Sequence, residues 1–230
     1  MKEGFNIIDN QIIVYLSRII AILISLPVHE FAHGYCAKLL GDTTAEQRGR
    51  LTLNPLKHLD PIGVIAMLTV GFGWANPVPI NTSNFAKPKR DMAIVALVGP
   101  LSNLILAIIG VCLFKITSII FVINNSQLWL CYFKVFFNYF AIINITLAVF
   151  NLIIVPPLDG SRLVTYFLPQ KYYDIFMRFE YLGIIVVFVL LFFGFLDMPI
   201  SIASQWFLKA FDWITYPLDI LRNFVIGIVI

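Results

Sequence analysis

Five consecutive residues, His29-Glu30-Phe31-Ala32-His33, carry the chemistry most legible in this chain. Histidines four apart on a helix share one face and can grip a single metal ion, while the glutamate between them stays free to act as a general base. With 3 His and 13 Asp plus Glu in 230 residues, a His-acidic-x-x-His pattern arises by chance in roughly one such sequence in 500. The bland alternative is a pair of buried histidines bonded to backbone. A catalytic zinc takes three protein ligands and keeps one position open, so a third ligand must come from elsewhere. Cys36 lies roughly 10 Å of helical rise from His29, too far to join both histidines on one ion. It also stands where the extended H-E-x-x-H-x-x-G-x-x-H pattern has its Gly, and Leu39 stands where that pattern has its last His. His58, Asp60, Asp159 and Glu180 remain. Asp159 is the best placed, because it follows an apolar span and Pro156-Pro157, which break a helix and leave irregular backbone that must line a polar cavity.

The elements that must position these groups are set by composition. Hydrophobic residues make up 60% of the chain and charged residues only 13%, roughly half the usual charged share. The mean hydropathy is +0.88. A soluble fold of this make-up would expose apolar patches that soluble monomers avoid, so the chain reads as an integral membrane protein. A net charge of +3 with scattered basic residues gives no stripe for nucleic acid. Cys36, Cys112 and Cys131 form no C-x-x-C pair and read as small apolar packing residues. The apolar stretch from Ile12 is followed by no small-residue cleavage site, so it reads as an anchor and not a removable signal.

The expected fold is all-α and polytopic, with about five to six membrane-inserted helices and a re-entrant hairpin that has room for a short β segment. The first span runs from about Ile12 to Leu40 and stops at Gly41-Asp42. Its length of roughly 43 Å exceeds a ~30 Å hydrocarbon core. His29 falls inside the bilayer, about 18 Å from Gly41, where ionisable groups are costly and are functional candidates by default. Pro61 to Trp74 is apolar but too short to span, which fits the hairpin. The stretch Trp74-Ala75-Asn76-Pro77-Val78-Pro79-Ile80-Asn81 cannot be helical. Two spans, Met92 to Ile123 and Leu128 to Val155, precede a basic loop from Asp159 to Arg178. A span from about Tyr181 to Leu196 follows; the tail after Pro199 reads as a final membrane-inserted helix, with interfacial helices at Ile200 to Ile214 and Tyr216 to Ile230 as the alternative. The whole, 1–230, reads as one domain, with a catalytic core at about 12–165 and C-terminal membrane helices at about 176–230. Nine Lys and Arg fall in three loops: Arg48, Arg50, Lys57, Lys87, Lys89, Arg90, Arg162, Lys171 and Arg178. The opposite side holds Lys2 and Lys115. The positive-inside rule puts the nine-charge side in the cytoplasm of a plasma-membrane protein, with the histidines nearer that face.

In two of these spans the sequence resembles the site-2 protease family of intramembrane metalloproteases: His29-Glu30-x-x-His33 in the first core helix, and Asn151-x7-Asp159-Gly160 at the end of a later one. The resemblance covers most of residues 12–165 and is closest to the compact bacterial members with no PDZ or CBS domain. It extends to Arg48-Gly49-Arg50-Leu51-Thr52-Leu53-Asn54-Pro55, the Gly-Trp-Ala-x-Pro-Val-Pro segment at 73–79, and Gly99-Pro100-x-x-Asn103. It implies that Asp159 is the third zinc ligand and that Asn151 contributes to substrate binding or oxyanion stabilisation. In the family the aspartate is often written within N-P-x-x-D-G; here Leu-Ile-Ile-Val follows Asn151. One zinc per chain on His29, His33 and Asp159 would polarise the scissile carbonyl and acidify a water. Glu30 would take that water's proton and pass it to the leaving amine. The implied substrate is a membrane-embedded segment of another protein, cut in regulated intramembrane proteolysis. Asn76 and its proline-flanked neighbours offer extended backbone for the unwound substrate.

Other polar residues have plainer readings. His58 suits a loop or hydrogen-bonding role. Asn103 and Asn144 suit hydrogen bonds between helices, Gly99-Pro100 a kink, and Lys134 and Glu180 snorkelling or water-facing positions. The partners expected are the lipid bilayer, a membrane-protein substrate and, as an open option, a second copy of the chain. Two rival functions stand: an H-E-x-x-H membrane metalloprotease with Glu180 as third ligand, and a non-enzymatic scaffold or transporter.

Overall fold

A computed structural model describes residues 7–61, 63, 75–124, 127–169, 171–173, 176 and 180–229. Its helices are α1 (Ile7–Leu39), the single turn α2 (Thr44–Gln47), α3 (Pro88–Ile123), α4 (Leu128–Asn151), α5 (Asp159–Phe167), α6 (Glu180–Phe192), α7 (Asp197–Ile214) and α8 (Tyr216–Val229). No sheet forms among the described residues; one isolated antiparallel bridge joins Leu59 to Ala75. Among the described residues three helices are long and apolar enough to cross a membrane: Gln11–Leu39, Pro88–Ile123 and Leu128–Asn151. The broken pair Leu182–Phe192 and Asp197–Ile214 makes a fourth if counted as one span.

These three to four candidate spans do not confirm the five to six inserted helices expected. Helix α8 has 14 residues, about 21 Å, short of the ~30 Å hydrocarbon thickness. A left-handed Gly194 (φ 71°) follows α6, and the tail after Pro199 breaks between Ile214 and Tyr216 into two helices, as in the alternative reading of the tail. The second long span stops at Asn151, four residues before the expected Val155, because Pro156 disfavours helical geometry at the residue before it. The expected basic loop after Asp159 opens with α5, whose acidic first residue suits a helix N-terminus. The re-entrant hairpin expected over 61–74 falls, apart from Pro61 and Gly63, outside the described residues.

The chain divides into two compact units, and each is described by itself. The first comprises Met1–Leu23, Leu104–Thr146 and Ser201–Ile230. In it Gly110 lets α3 approach α4: a Cβ there would stand 3.0 Å from the Ala141 nitrogen and from the Phe140 ring. Lys115, almost wholly buried in α3, pairs with Asp219 at 2.6 Å and Asp212 at 3.2 Å. Lys134, expected to snorkel, lies 4.7 Å from the Phe121 ring centroid.

The second unit comprises Ile24–Asn103 and Leu147–Ile200. Ala37, Phe85 and Val95 form a buried cluster, with Cys36, Leu40, Ile80 and Met92 packed against it, so Cys36 has the apolar role expected of it. Gly41, at φ 109°, ends α1, and the buried Asp42 then ties the chain together. Its carboxylate accepts from the Thr44 amide and hydroxyl, from the Asn81 amide at 2.7 Å and from the Asn84 side chain at 2.7 Å. Burial alone would raise its pKa, but the Thr44 hydroxyl, the Asn81 amide and the other donors outweigh burial and hold it below the usual carboxylate range.

Candidate metal centre

Within the second unit α1 presents His29 and His33 on one face, as a spacing of four dictates. Their rings stand 4.5 Å apart and nearly perpendicular. The two Nε2 atoms are 3.0 Å apart, and each lies 3.3 Å from Oδ2 of Asp159 at the start of α5. His29, His33 and Asp159 thus bring one potential ligand atom each to within 4.8 Å of one another. Zinc–nitrogen and zinc–oxygen bonds of about 2.0–2.1 Å in a tetrahedron place neighbouring donors about 3.3 Å apart, close to the three separations found here.

Proton positions sharpen this fit. The His33 Nδ1 donates to the Val95 carbonyl at 2.8 Å, and a carbonyl can only accept. The His29 Nδ1 lies 3.0 Å from the Asn103 side-chain oxygen, also an acceptor. In neutral rings the Nδ1 atoms therefore hold the protons, and both Nε2 lone pairs point at each other and at Asp159 Oδ2. That oxygen is itself buried and accepts no hydrogen bond. Three acceptors facing one another in a site of low exposure repel unless a cation lies between them. The donor set therefore fits zinc.

Backbone contacts shape the cradle. A Cβ on Gly99 would collide with the His33 imidazole and come within 2.7 Å of the His29 ring. The feature read as a kink is thus also the place where the α3 backbone lies against both rings. Pro100 stays inside a continuous α3. A Cβ on Gly160 would run into the Leu152 carbonyl and stand 2.7 Å from the Ile153 oxygen, so the Asp159-Gly160 turn folds tightly onto the chain that follows α4.

Glu30 does not join the triad. Its Oε2 accepts from the Val78 amide at 2.8 Å. Arg50 holds the strap of residues 75–81 that carries Val78, donating to the Asn76 carbonyl at 2.7 Å and the Pro77 carbonyl at 3.2 Å. The Asn76 amide donates to the His58 carbonyl at 2.8 Å.

The Asn76 side chain is exposed, and Asn151, expected near substrate, donates back to the Leu147 carbonyl of its own helix at 3.0 Å. His58 lies in a turn, as expected, and is fully buried. Its Nε2 donates to the Thr52 carbonyl at 2.8 Å, and it stands outside the triad. Asp60 accepts from the Gly63 amide at 2.9 Å and is likewise outside the triad. The Glu180 side chain lies outside the described residues. Sequence reasoning undervalued Asn103, which is wholly buried and hydrogen-bonded to the His29 ring. The signals were an amide inside a long apolar span and its place in the Gly99-Pro100-x-x-Asn103 motif.

A helix-borne His pair closed by an aspartate from a second element is a metal-ligating arrangement of the kind metallohydrolases use. Comparison with known proteins gives that class a family. Residues 111–194 match the family model described as Peptidase family M50. The chain is 41% identical over 172 residues to "Putative zinc metalloprotease YwhC" of Bacillus subtilis, covering 75% of this chain and 78% of that protein. It is 32% identical over 155 residues to "Putative zinc metalloprotease Rip2" of Mycolicibacterium smegmatis, covering 64% of this chain and 55% of the relative. The Rip2 protein of Mycobacterium tuberculosis is 31% identical over 153 residues, with the same coverage. No solved structure matches the chain. The chain belongs to peptidase family M50, the site-2 protease family, and is a zinc metalloprotease of that type.

Proposed function

We propose that the chain is an intramembrane protease in which His29, His33 and Asp159 hold one zinc ion and Glu30 is the general base. The observation that carries the reading is the convergence of two Nε2 atoms and a buried carboxylate oxygen, 3.0–3.3 Å apart, with both Nδ1 atoms turned to oxygen acceptors. When bound, zinc supplies Lewis acidity that polarises a carbonyl and acidifies a water. Asn103 and the Val95 carbonyl hold the two imidazoles in the tautomer that keeps Nε2 free for the metal. Glu30 accepts a proton and delivers it to the leaving amine. The Val78 amide fixes one of its oxygens and leaves the other for that work.

The substrate is a membrane-embedded segment of another protein, unwound locally so that its amides can be reached. The strap over 75–81 is non-helical, and its Val78 carbonyl and Ile80 amide have no backbone partner among the described residues, which supports strand-like pairing with the substrate. Asn76 and Asn151 are assigned to substrate contact or oxyanion stabilisation. The nine Lys and Arg of the three loops support a plasma-membrane orientation with the site nearer the cytoplasm.

The test is zinc content by elemental mass spectrometry on detergent-purified wild type, His33→Ala, Asp159→Ala and Glu30→Gln. About one zinc per chain is expected in wild type and Glu30→Gln, with loss in the other two. Cleavage of a membrane-protein substrate by Glu30→Gln should fall by roughly 10²–10⁴-fold. Zinc retained in Asp159→Ala would move the third ligand elsewhere.

A further inference from the structure

Asp159 reaches the two histidines from a short irregular segment, and a different helix presses on that segment from behind. Gly183, buried in α6, leaves no room for a side chain. A Cβ there would collide with the Pro156 carbonyl oxygen and stand 2.7 Å from both the carbonyl carbon and the Cβ of Pro156. Pro156 precedes Asp159 by three residues. Between them the chain is short and tied: the Leu158 amide donates to the Val155 carbonyl at 3.0 Å, and the Ser161 amide and hydroxyl donate to the Leu158 carbonyl at 3.0 and 2.6 Å. At the far end Gly160 is packed against the Leu152 and Ile153 carbonyls. The segment is therefore held on both sides by backbone contacts that only glycine permits. Most of α6 is exposed, including Ile184, Ile185, Phe188 and Val189, whereas Gly183 and Val187, one turn apart, are buried.

We infer that Gly183 is a positioning residue for the zinc ligand Asp159, with α6 acting through Pro156 as the backstop that sets the carboxylate's distance from the histidines. This rests on the assignment of Asp159 proposed above. Ordinary contacts of a Cβ begin at 3.4 Å, so a methyl group at 183 forces Pro156 and α6 apart by 0.7 Å or more. Metal–ligand distances tolerate only about 0.2 Å. A short, hydrogen-bonded connection to Asp159 transmits much of such a displacement to the ligand.

The experiment measures zinc affinity by chelator competition, and the visible spectrum of the cobalt-substituted protein, for wild type, Gly183→Ala, Val187→Ala and Asp159→Ala in detergent. Gly183→Ala is expected to bind zinc at least tenfold more weakly, with an altered cobalt spectrum. Val187→Ala loosens α6 without pushing on Pro156 and should keep both readouts. Equal loss in the two variants would mean that α6 acts through general stability and would overturn the inference. So would wild-type affinity and spectrum in Gly183→Ala while Asp159→Ala loses the metal. Zinc retained in Asp159→Ala would instead defeat the ligand assignment itself. If Gly183→Ala does not fold, Pro156→Gly, which removes the ring α6 backs, takes its place: a tenfold loss supports the inference, and unchanged affinity overturns it.

Discussion

Replacing Asn103 by leucine separates metal affinity from fold stability. The Asn103 oxygen is the acceptor for His29 Nδ1 at 3.0 Å, and its amide nitrogen, also buried, has no partner among the described residues. Leucine leaves the His29 N–H without an acceptor, a cost of about 1–3 kcal/mol. It also removes a buried polar amide, which offsets part of that cost. The metal loses the group that fixes the ring's tautomer and orientation, and such losses weaken affinity by about 10–100-fold, or about 1.4–2.8 kcal/mol. Chelator competition on detergent-purified protein should therefore show zinc bound 10–100-fold more weakly, while the unfolding temperature moves little. Asn103→Asp keeps an oxygen acceptor and should stay within a few-fold of wild type. His33 offers no equivalent variant, because its acceptor is the Val95 backbone carbonyl. Wild-type zinc affinity in folded Asn103→Leu would refute the argument that this amide holds the ligand.

Three further outcomes follow from other contacts. Arg50→Ala removes the donor to the Asn76 and Pro77 carbonyls; a charged hydrogen bond is worth about 1.5–3 kcal/mol, so substrate cleavage should drop roughly tenfold or more with zinc content unchanged, and unaltered cleavage would show that the strap needs no clamp. Asp42 has a depressed pKa, so its stabilisation is complete above the ordinary carboxylate range and is lost as pH falls through its folded-state value. Asp42→Asn should accordingly be less stable than wild type at pH 7, with the gap in unfolding temperature closing in acid; a gap independent of pH would contradict the hydrogen-bond account. Asp219→Asn takes one carboxylate from the buried Lys115 while Asp212 remains at 3.2 Å. The cost should be about 2 kcal/mol, below the roughly 3–5 kcal/mol of leaving a buried ion unpaired, and an unchanged thermal unfolding curve would show that the pair adds nothing.

Legibility in the sequence followed the range of the interaction. The facing of His29 and His33 is fixed by the helical period and needs nothing beyond four residues of spacing. The two longest spans were legible for the same reason, since twenty apolar residues need no partner to declare themselves. Where the reading of spans failed, a local effect outweighed composition: apolar residues 152–155 are not in α4, because proline at 156 takes away the helical option just before it. The start of α5 was missed because its arginine was counted toward a basic loop, although an aspartate followed by glycine and serine is an acceptable helix start.

The supporting contacts could not be read at all, because they depend on which residues of separate elements come together. Asn103 and Gly99 were visible as an amide and a Gly-Pro step in an apolar run. Their work comes from facing His29 and His33, and neither helix encodes that register by itself. His58 was legible as a loop residue with a hydrogen-bonding role; what its place in the sequence did not show is that the ring is fully buried against the Thr52 carbonyl. The motif therefore identifies what can bind metal, while glycines at 99 and 160 and an amide at 103 determine where the donors stand. Substitutions in this second group should leave the H-E-x-x-H signature intact and still weaken the metal site, so the motif alone is an incomplete guide to which relatives retain a working centre.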